Sequence, residues 1–405
     1  MAGLEHHWYR ITPLHLILFP VSLLFRALVA LRRALYRSRI LPSEKLPVPV
    51  IVIGNISVGG TGKTPLTLTL AQQLIQRGRH PLIVSRGYGG AAQQPQQVNA
   101  GSDAQQAGDE PLLMARRNLC PVWIGKDRAA AAQAALKAHP ECDVVLCDDG
   151  LQHYRLQRDA EIAVIDGIRG FGNGCMLPAG PLREPVARLQ AVDAVVVNEQ
   201  ARFPDGTTSH STRLPKSGNQ VAGYLPNPLG ETTSHSTRLP DTATKSLVIP
   251  QAGRAKRGGR SRANESLCEF ISDGGETSTG RYAMRLSGDI FYNLLDPGKT
   301  VAADHFHTLN NHAVAGIGHP QRYFRHLQAL GIPFTPHVFP DHHPYSAADL
   351  AFTGCDAILL TEKDAVKCAT FADARYWVLR VDAQIDPALL DHILRKIESH
   401  GRKTA

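Results

Sequence analysis

The segment GNISVGGTGKTPLTLTLAQQL, residues 54–74, carries a glycine-rich turn and a Lys-Thr pair directly after the β-branched run VPVIVI. A turn of this kind that opens a helix converges backbone N–H groups and a helix N-terminus on an anion, which is the chemistry of holding a nucleotide phosphate. In this reading Gly59, Gly60, Thr61 and Gly62 form the cradle, Lys63 reaches the outer phosphates and Thr64 offers its hydroxyl to Mg²⁺. The strict pattern places glycine five residues before Gly62, where this chain has Ser57, so Gly59 and Gly60 supply the close backbone approach instead. Pro65 suits a first helical turn, because the N–H it lacks would have no intrahelical partner.

A second constellation is DVVLCDDGLQHYRLQRD, residues 143–159, an apolar strand ending in paired aspartates. A carboxylate at a strand end beside a phosphate loop holds Mg²⁺ directly or through water, which makes Asp148 the partner of Thr64. Asp149 and Gln152 then face the same crevice; alone, the paired aspartates would suit a turn or a helix cap, but after residues 54–64 the metal reading is favoured. AGDEPLLMA, residues 107–115, opens an apolar helix with Asp109 and Glu110, for which electrostatic favour at a helix N-terminus is one sufficient reason. GCMLPAGPLREP, residues 174–185, presents Arg183 and Glu184 from a loop stiffened by Pro and Gly. Such a pair suits phosphate clamping with a metal or substrate contact, or it is a plain surface ion pair. Histidines gather in DHFH, residues 304–307, and FPDHHPY, residues 339–345, ahead of TEKDAVK, residues 361–367. Asp-His-His either binds a divalent metal, as in a hydrolase, or sets an imidazole beside a carboxylate to share a proton in phosphoryl transfer.

The elements that must position these groups are legible as alternation. From residue 48 to about 198, the runs VPVIVIG, HPLIVSRG, PVWIG, DVVLCDD, EIAVIDG and DAVVVNE alternate with helical stretches. That pattern argues for a doubly wound α/β domain with ligands at the carboxyl ends of parallel strands. A second α/β series follows residue 287 through HAVAGIG, RYFRHLQALG, FTPHVFP, DAILLTEKD and RYWVLRV. Between them, residues 202–280 are rich in Ser, Thr, Gly, Pro and Asn. This stretch repeats TTSHSTRLP at 207–215 and 232–240 and carries the basic run RAKRGGRSR at 254–262. With few large apolar residues to offset chain ordering, it reads as a flexible insert, and its basic run as solvated loop rather than a nucleic-acid patch.

At 405 residues and 43% apolar content, the chain has material for two cored domains. Of the formal charge of +8, residues 1–45 hold +5, from seven Lys/Arg against Glu5 and Glu44. The positive charge therefore belongs mainly to an N-terminus that reads ITPLHLILFPVSLLF over residues 11–25, then Arg26, ALVAL and Arg32-Arg33, with Trp8 and Tyr9 ahead of it. Aromatic residues at one edge and arginines at the other suit a helix in, or barely crossing, an anionic membrane surface; the basic residues follow the apolar run, against a cleaved signal peptide. Seven scattered cysteines without a CxxC pair fit reduced thiols in the cytoplasm, with neither zinc site nor disulfide frame.

Taken in order, GNISVGGTGKTP, VSRGYGG, GDEP, CDDGLQH, LPAGPLREP, AVAGIGHP, FPDHH and TEKDAVK resemble the tetraacyldisaccharide 4'-kinase family, the lipid A 4'-kinases of Gram-negative inner membranes. The resemblance implies an α/β fold: a P-loop-containing doubly wound α/β/α domain (residues 41–201) and a second, smaller α/β domain (281–405) closing on the nucleotide, with an N-terminal membrane-associated helix (1–40). It implies transfer of the ATP γ-phosphate to the 4'-hydroxyl of an acylated glucosamine disaccharide 1-phosphate on the cytoplasmic side of the inner-membrane lipid surface, with no nucleic acid and no obligate protein partner. Carried onto this sequence, it makes Lys63 and Arg183 phosphate contacts, and Thr64, Asp148, Asp149, Gln152 and Glu184 the surroundings of Mg²⁺. It makes Asp109 the general base, assisted by His342, with His343 as the fallback. Two features depart from the family pattern: His319 stands where asparagine is usual, and residues 202–280 are additional. A nucleotide switch or metallochaperone would use the same phosphate loop without an Asp109–His pair, and a metal hydrolase would use the histidines without Lys63. Removal of residues 207–280 is expected to leave catalysis largely intact, since loop-closure cost grows only as about (3/2)RT ln n.

Overall fold

The computed structural model describes residues 6–9, 12–199 and 279–398; the repeat, the basic run and nearly all of the expected insert lie outside the described residues. The described strands are β1 (Val50–Gly54), β2 (Pro81–Ser85), β3 (Gln96–Val98), β4 (Val122–Ile124), β5 (Val144–Asp148), β6 (Ala160–Asp166), β7 (Ala194–Glu199), β8 (Gly280–Ser287), β9 (Ile290–Asn293), β10 (Thr300–Ala302), β11 (Asn311–Ala315), β12 (Thr335–Val338), β13 (Ala357–Thr361), β14 (Tyr376–Leu379) and β15 (Asp382–Ile385). The described helices are α1 (Pro13–Arg37), α2 (Lys63–Gln76), α3 (Ala104–Ala107), α4 (Asp109–Arg116), α5 (Arg128–Ala138), α6 (Pro320–Ala329), α7 (Glu362–Cys368) and α8 (Pro387–Glu398).

Nine strands form one sheet in the order β15-β8-β7-β6-β1-β5-β2-β4-β3, parallel except for its outermost strands β15 and β3. All residues of β1 and β5 are buried, as a strand covered on both faces requires. Alternation divides β1 between two cores. Ile51 and Ile53 pack with Leu66, Leu70 and Leu74 of α2, while Val50 and Val52 pack with Ala129, Ala132 and Ala135 of α5. The second sheet, ordered β10-β9-β14-β13-β11-β12, is parallel at β14-β13-β11-β12 and buries Phe324 and Leu327 of α6 on one face.

Both α/β series are present, but the chain divides between the sheets differently from the expected boundary at residue 281. Strand β8 pairs parallel with β7, β15 pairs antiparallel with β8, and α8 buries Leu389, Leu390, Ile393 and Ile397 in the first sheet's core. The C-terminal chain thus builds the second sheet and then returns to complete the first. Both sheets belong to one compact unit.

Arg117, directly after α4, joins them. Its guanidinium contacts both Glu362 oxygens at 2.7 and 2.9 Å, Asp382 Oδ1 at 2.8 Å and the Val381 carbonyl at 2.9 Å. Burial pushes the Glu362 carboxyl up despite the guanidinium beside it. Removing one partner of a buried pair strands the other charge, so Arg117→Met is expected to lower unfolding free energy by about 3–5 kcal/mol in denaturant titration. Arg117→Met combined with Glu362→Leu should recover a large part of that loss.

The β7–β8 pairing also corrects the expected neutrality of the long deletion. Ala194 lies opposite Gly280, so the link from Glu199 must run back along a full strand, and parallel neighbours need a crossover of about a dozen or more residues. Removing residues 207–280 leaves only the seven residues 200–206 as a link and also takes Thr279, whose hydroxyl bonds the Val192 carbonyl at 3.0 Å. Thermal melting of that deletion should show clear destabilisation. A deletion that keeps Thr279, Gly280 and about fifteen linking residues should melt like the full chain.

Candidate functional site

Strand β1 runs straight into the glycine-rich turn, and α2 begins at Lys63. Gly62 caps α2 with a left-handed φ of 96°, and a Cβ there would lie 2.7 Å from the Asn198 amide nitrogen, so only glycine suits the position. The turn is braced from several strand ends. Asn198, closing β7, donates to the Thr61 carbonyl at 2.9 Å; Arg169 donates to the Gly60 carbonyl at 2.9 Å; Asn55 donates to the Gly59 carbonyl at 3.3 Å. Asp166, at the end of β6, holds Arg169 at 3.0 Å and also Arg322 of α6 at 3.0 Å, which brings the second sheet to the loop. Sequence reading missed these braces; the only signal was a polar residue closing each of two apolar strands.

Parallel register sets Asp148 beside Ile53, at the mouth of the turn. Asp148 is fully buried: Oδ1 accepts from Thr67 Oγ1 at 3.2 Å, and Oδ2 has no hydrogen-bond partner. Burial, with the Glu110 charge adding to it, raises this carboxyl to about 7. Asp149 is the opposite case. Burial alone would raise it, but Lys63 Nζ at 3.3 Å and Arg183 Nη1 at 3.3 Å hold it down at about 2. Lys63, Asp149 and Arg183 are therefore brought together as read from the sequence.

Glu184 and Gln152 are brought together in another way. Glu184 is fully buried, and both its oxygens are taken: Oε1 accepts from Gln152 at 2.8 Å, and Oε2 accepts from the Tyr154 hydroxyl at 2.6 Å with Arg188 at 3.4 Å. Gln152 also donates to the Asn55 carbonyl at 3.0 Å. This pair ties residues 152 and 184 to the start of the phosphate turn through the Asn55 carbonyl.

Asp109 opens α4 after Gly108, and His342 reaches it from the loop that follows β12, with Nδ1 2.9 Å from Asp109 Oδ2. His342 has a left-handed φ of 62°, a conformation that non-glycine residues rarely hold, and its ring lies 5.7 Å from that of Tyr88. His343 points elsewhere, between Phe339 and Tyr345 and toward Asp349. Of the other histidines in the two motifs, His305 packs on Trp377 and His307 bonds the Leu330 carbonyl. The histidine motifs thus separate, and His342 alone joins the carboxylate. Glu110, beside Asp109, and Lys63 both act electrostatically on Asp148, and α2 packs against α4, so the phosphate turn and the Asp109–His342 pair sit on neighbouring elements. This arrangement can hold a polyphosphate at one end and withdraw a proton from a hydroxyl at the other.

Comparison with known proteins agrees with the geometry. The sequence pattern of the family described as tetraacyldisaccharide-1-P 4'-kinase matches residues 14–398. A tetraacyldisaccharide 4'-kinase of an Azoarcus species is 43% identical over 405 residues, spanning 100% of this chain and 98% of that relative. The Methylobacillus flagellatus enzyme of the same name is 40% identical over 394 residues, spanning 97% and 95%. The fold matches a crystal structure of LpxK from Aquifex aeolicus in complex with ATP at TM-score 0.65 and 24% identity, covering 95% of this chain and 99% of that one. With the family pattern running along nearly the whole sequence and relatives at 40% identity or more over nearly their whole length, this chain belongs to the tetraacyldisaccharide 4'-kinase family.

Proposed function

We propose that this chain transfers the γ-phosphate of ATP to the 4'-hydroxyl of tetraacyldisaccharide 1-phosphate, the lipid A precursor, at the cytoplasmic face of the inner membrane. The observation that carries the reading is the pairing on neighbouring helices of a phosphate turn with Lys63 at the start of α2 and a carboxylate–imidazole pair, supplied by both sheets, at the start of α4. Lys63 and Arg183, which pair with Asp149 here, turn to the phosphate oxygens when nucleotide enters, as point charge and planar fork respectively. The partnerless Asp148 Oδ2 and the raised carboxyl mark a donor short of a cation, so Asp148 and Thr64 fit Mg²⁺, with Asp149 joining them once its own cations turn away. When bound, Mg²⁺ neutralises charge on the transferring phosphoryl group. Asp109, steadied by His342, takes the proton of the attacking hydroxyl.

Helix α1 supplies the approach to the substrate. Its outer face exposes Leu16, Ile17, Leu24, Leu28 and Leu31, with Ile17 71% exposed. Its inner face is fixed along its length: His15 and Ser22 bond the Ala179 backbone, Phe25 and Val29 pack on the first sheet's core, and Tyr36 lies against Tyr154. A helix gripped from end to end lies in the membrane interface, since spanning would carry the body into hydrocarbon.

With γ-labelled ATP, Mg²⁺ and tetraacyldisaccharide 1-phosphate in detergent, label is expected in a bisphosphorylated lipid. Asp109→Ala should lose ~10²–10⁴-fold and Lys63→Ala at least as much. Nucleotide hydrolysis with unlabelled lipid would instead favour a nucleotide switch. Because the outer-face residues are exposed, Leu24→Glu with Leu28→Glu should weaken sedimentation with phosphatidylglycerol vesicles while leaving the melting temperature in detergent unchanged.

A further inference from the structure

Phosphoryl transfer as described leaves the charges of α7 unused. Lys363 and Lys367, one turn apart, both reach the Asp109–His342 pair. Lys363 Nζ lies 3.3 Å from His342 Nε2, 3.1 Å from Asp341 Oδ1 and 4.0 Å from Glu110. Lys367 Nζ lies 3.9 Å from Asp109 Oδ2 and 3.0 Å from Asp364 Oδ1, over the Tyr345 ring at 4.9 Å. Asp364 is fully buried and accepts from Thr361 Oγ1 at 2.7 Å, Gly316 N at 3.1 Å and the Tyr345 hydroxyl at 3.3 Å, so the anchor of Lys367 is itself fixed.

The donor arithmetic decides the imidazole. An ammonium has three donors and no acceptor, so in its contact with Lys363 the His342 Nε2 must accept. The ring proton then sits on Nδ1, which faces Asp109. Although burial opposes the Lys363 charge, Glu110 and Asp341 outweigh it and hold its pKa up, so the donor stays charged.

We propose that Lys363 is a positioning residue that fixes the tautomer of the catalytic pair, its ammonium donating to His342 Nε2 so that the ring proton stays on Nδ1 and points at Asp109. The inference rests on Asp109 being the base. The sugar O–H bond breaks as an Asp109 O–H bond forms, the sugar oxygen bonds phosphorus as the β–γ bridge breaks, and ADP leaves. The proton stays on Asp109 until solvent removes it, because Nδ1 is already protonated and Nε2 faces a cation. The charged or titratable groups around the pair are Glu110 on α4, Lys363, Asp364 and Lys367 on α7, Asp341 before His342, Tyr345 under Lys367, Tyr88 beyond the His342 ring, and Asp148, which feels the Glu110 charge.

The test is ¹⁵N-histidine NMR of the full chain in detergent, with the His342 signal assigned by its loss in His342→Gln. A neutral Nδ1–H tautomer at pH 7 is expected, changing to Nε2–H or imidazolium in Lys363→Met. The Nδ1–H tautomer should return in Lys363→Arg, which restores a charged donor. A wild-type His342 that is Nε2–H or charged, or an unchanged tautomer in Lys363→Met, each overturns the proposal. Undiminished transfer in Asp109→Asn overturns the base itself, whichever tautomer the spectrum shows.

Discussion

The chemistry of this chain depends on α4 and α7 remaining pressed together. Asp109 begins α4 and Arg117 follows its end, while Glu362 begins α7 and Lys367 lies near its end. One contact closes the helix pair at the Arg117–Glu362 ion pair, and the other closes it at Asp109 with Lys367 and His342. The buried pair adds little net stability of its own, because desolvation offsets most of the Coulombic gain. Its value is geometric: with either partner missing, the remaining charge is stranded, so only one registry of the two helices is tolerated.

The same economy of geometry appears in the backbone. Asp149 and His342 both hold left-handed φ values, at 48° and 62°, a conformation costing of order 1–2 kcal/mol for a residue with a Cβ. Each is held there by partners on its side chain: Lys63 and Arg183 for Asp149, Asp109 and Lys363 for His342. Two of the four non-glycine residues with left-handed φ among the described residues thus lie at the candidate site, the others being Arg39 and Asn118.

Short-range signals carried much of this into the sequence. The phosphate turn, the strand ending in Asp148 and the α/β alternation are local patterns of a few residues, and each is found where those patterns put it. The return of β15 and α8 to the first sheet was not legible, because strand order is settled by contacts between residues far apart in sequence, such as Thr69 with Ala383. The partners of Glu184 were hidden for a related reason: nothing local reveals that Gln152, Tyr154 and Arg188 meet its oxygens. The different surroundings of His342 and His343 likewise come from tertiary packing, which sets one ring between Phe339 and Tyr345 and turns the other to Asp109.

The loop of residues 174–185 is held at two points four residues apart. Ala179 is gripped by Ser22 and His15 of α1, and Arg183 by Asp149 beside the phosphate turn. A segment this short and this rich in proline transmits displacement rather than absorbing it. Helix α1 and the Asp149 carboxylate beside the phosphate turn are therefore joined through five residues, so a shift of α1 against the body reaches the Arg183 guanidinium.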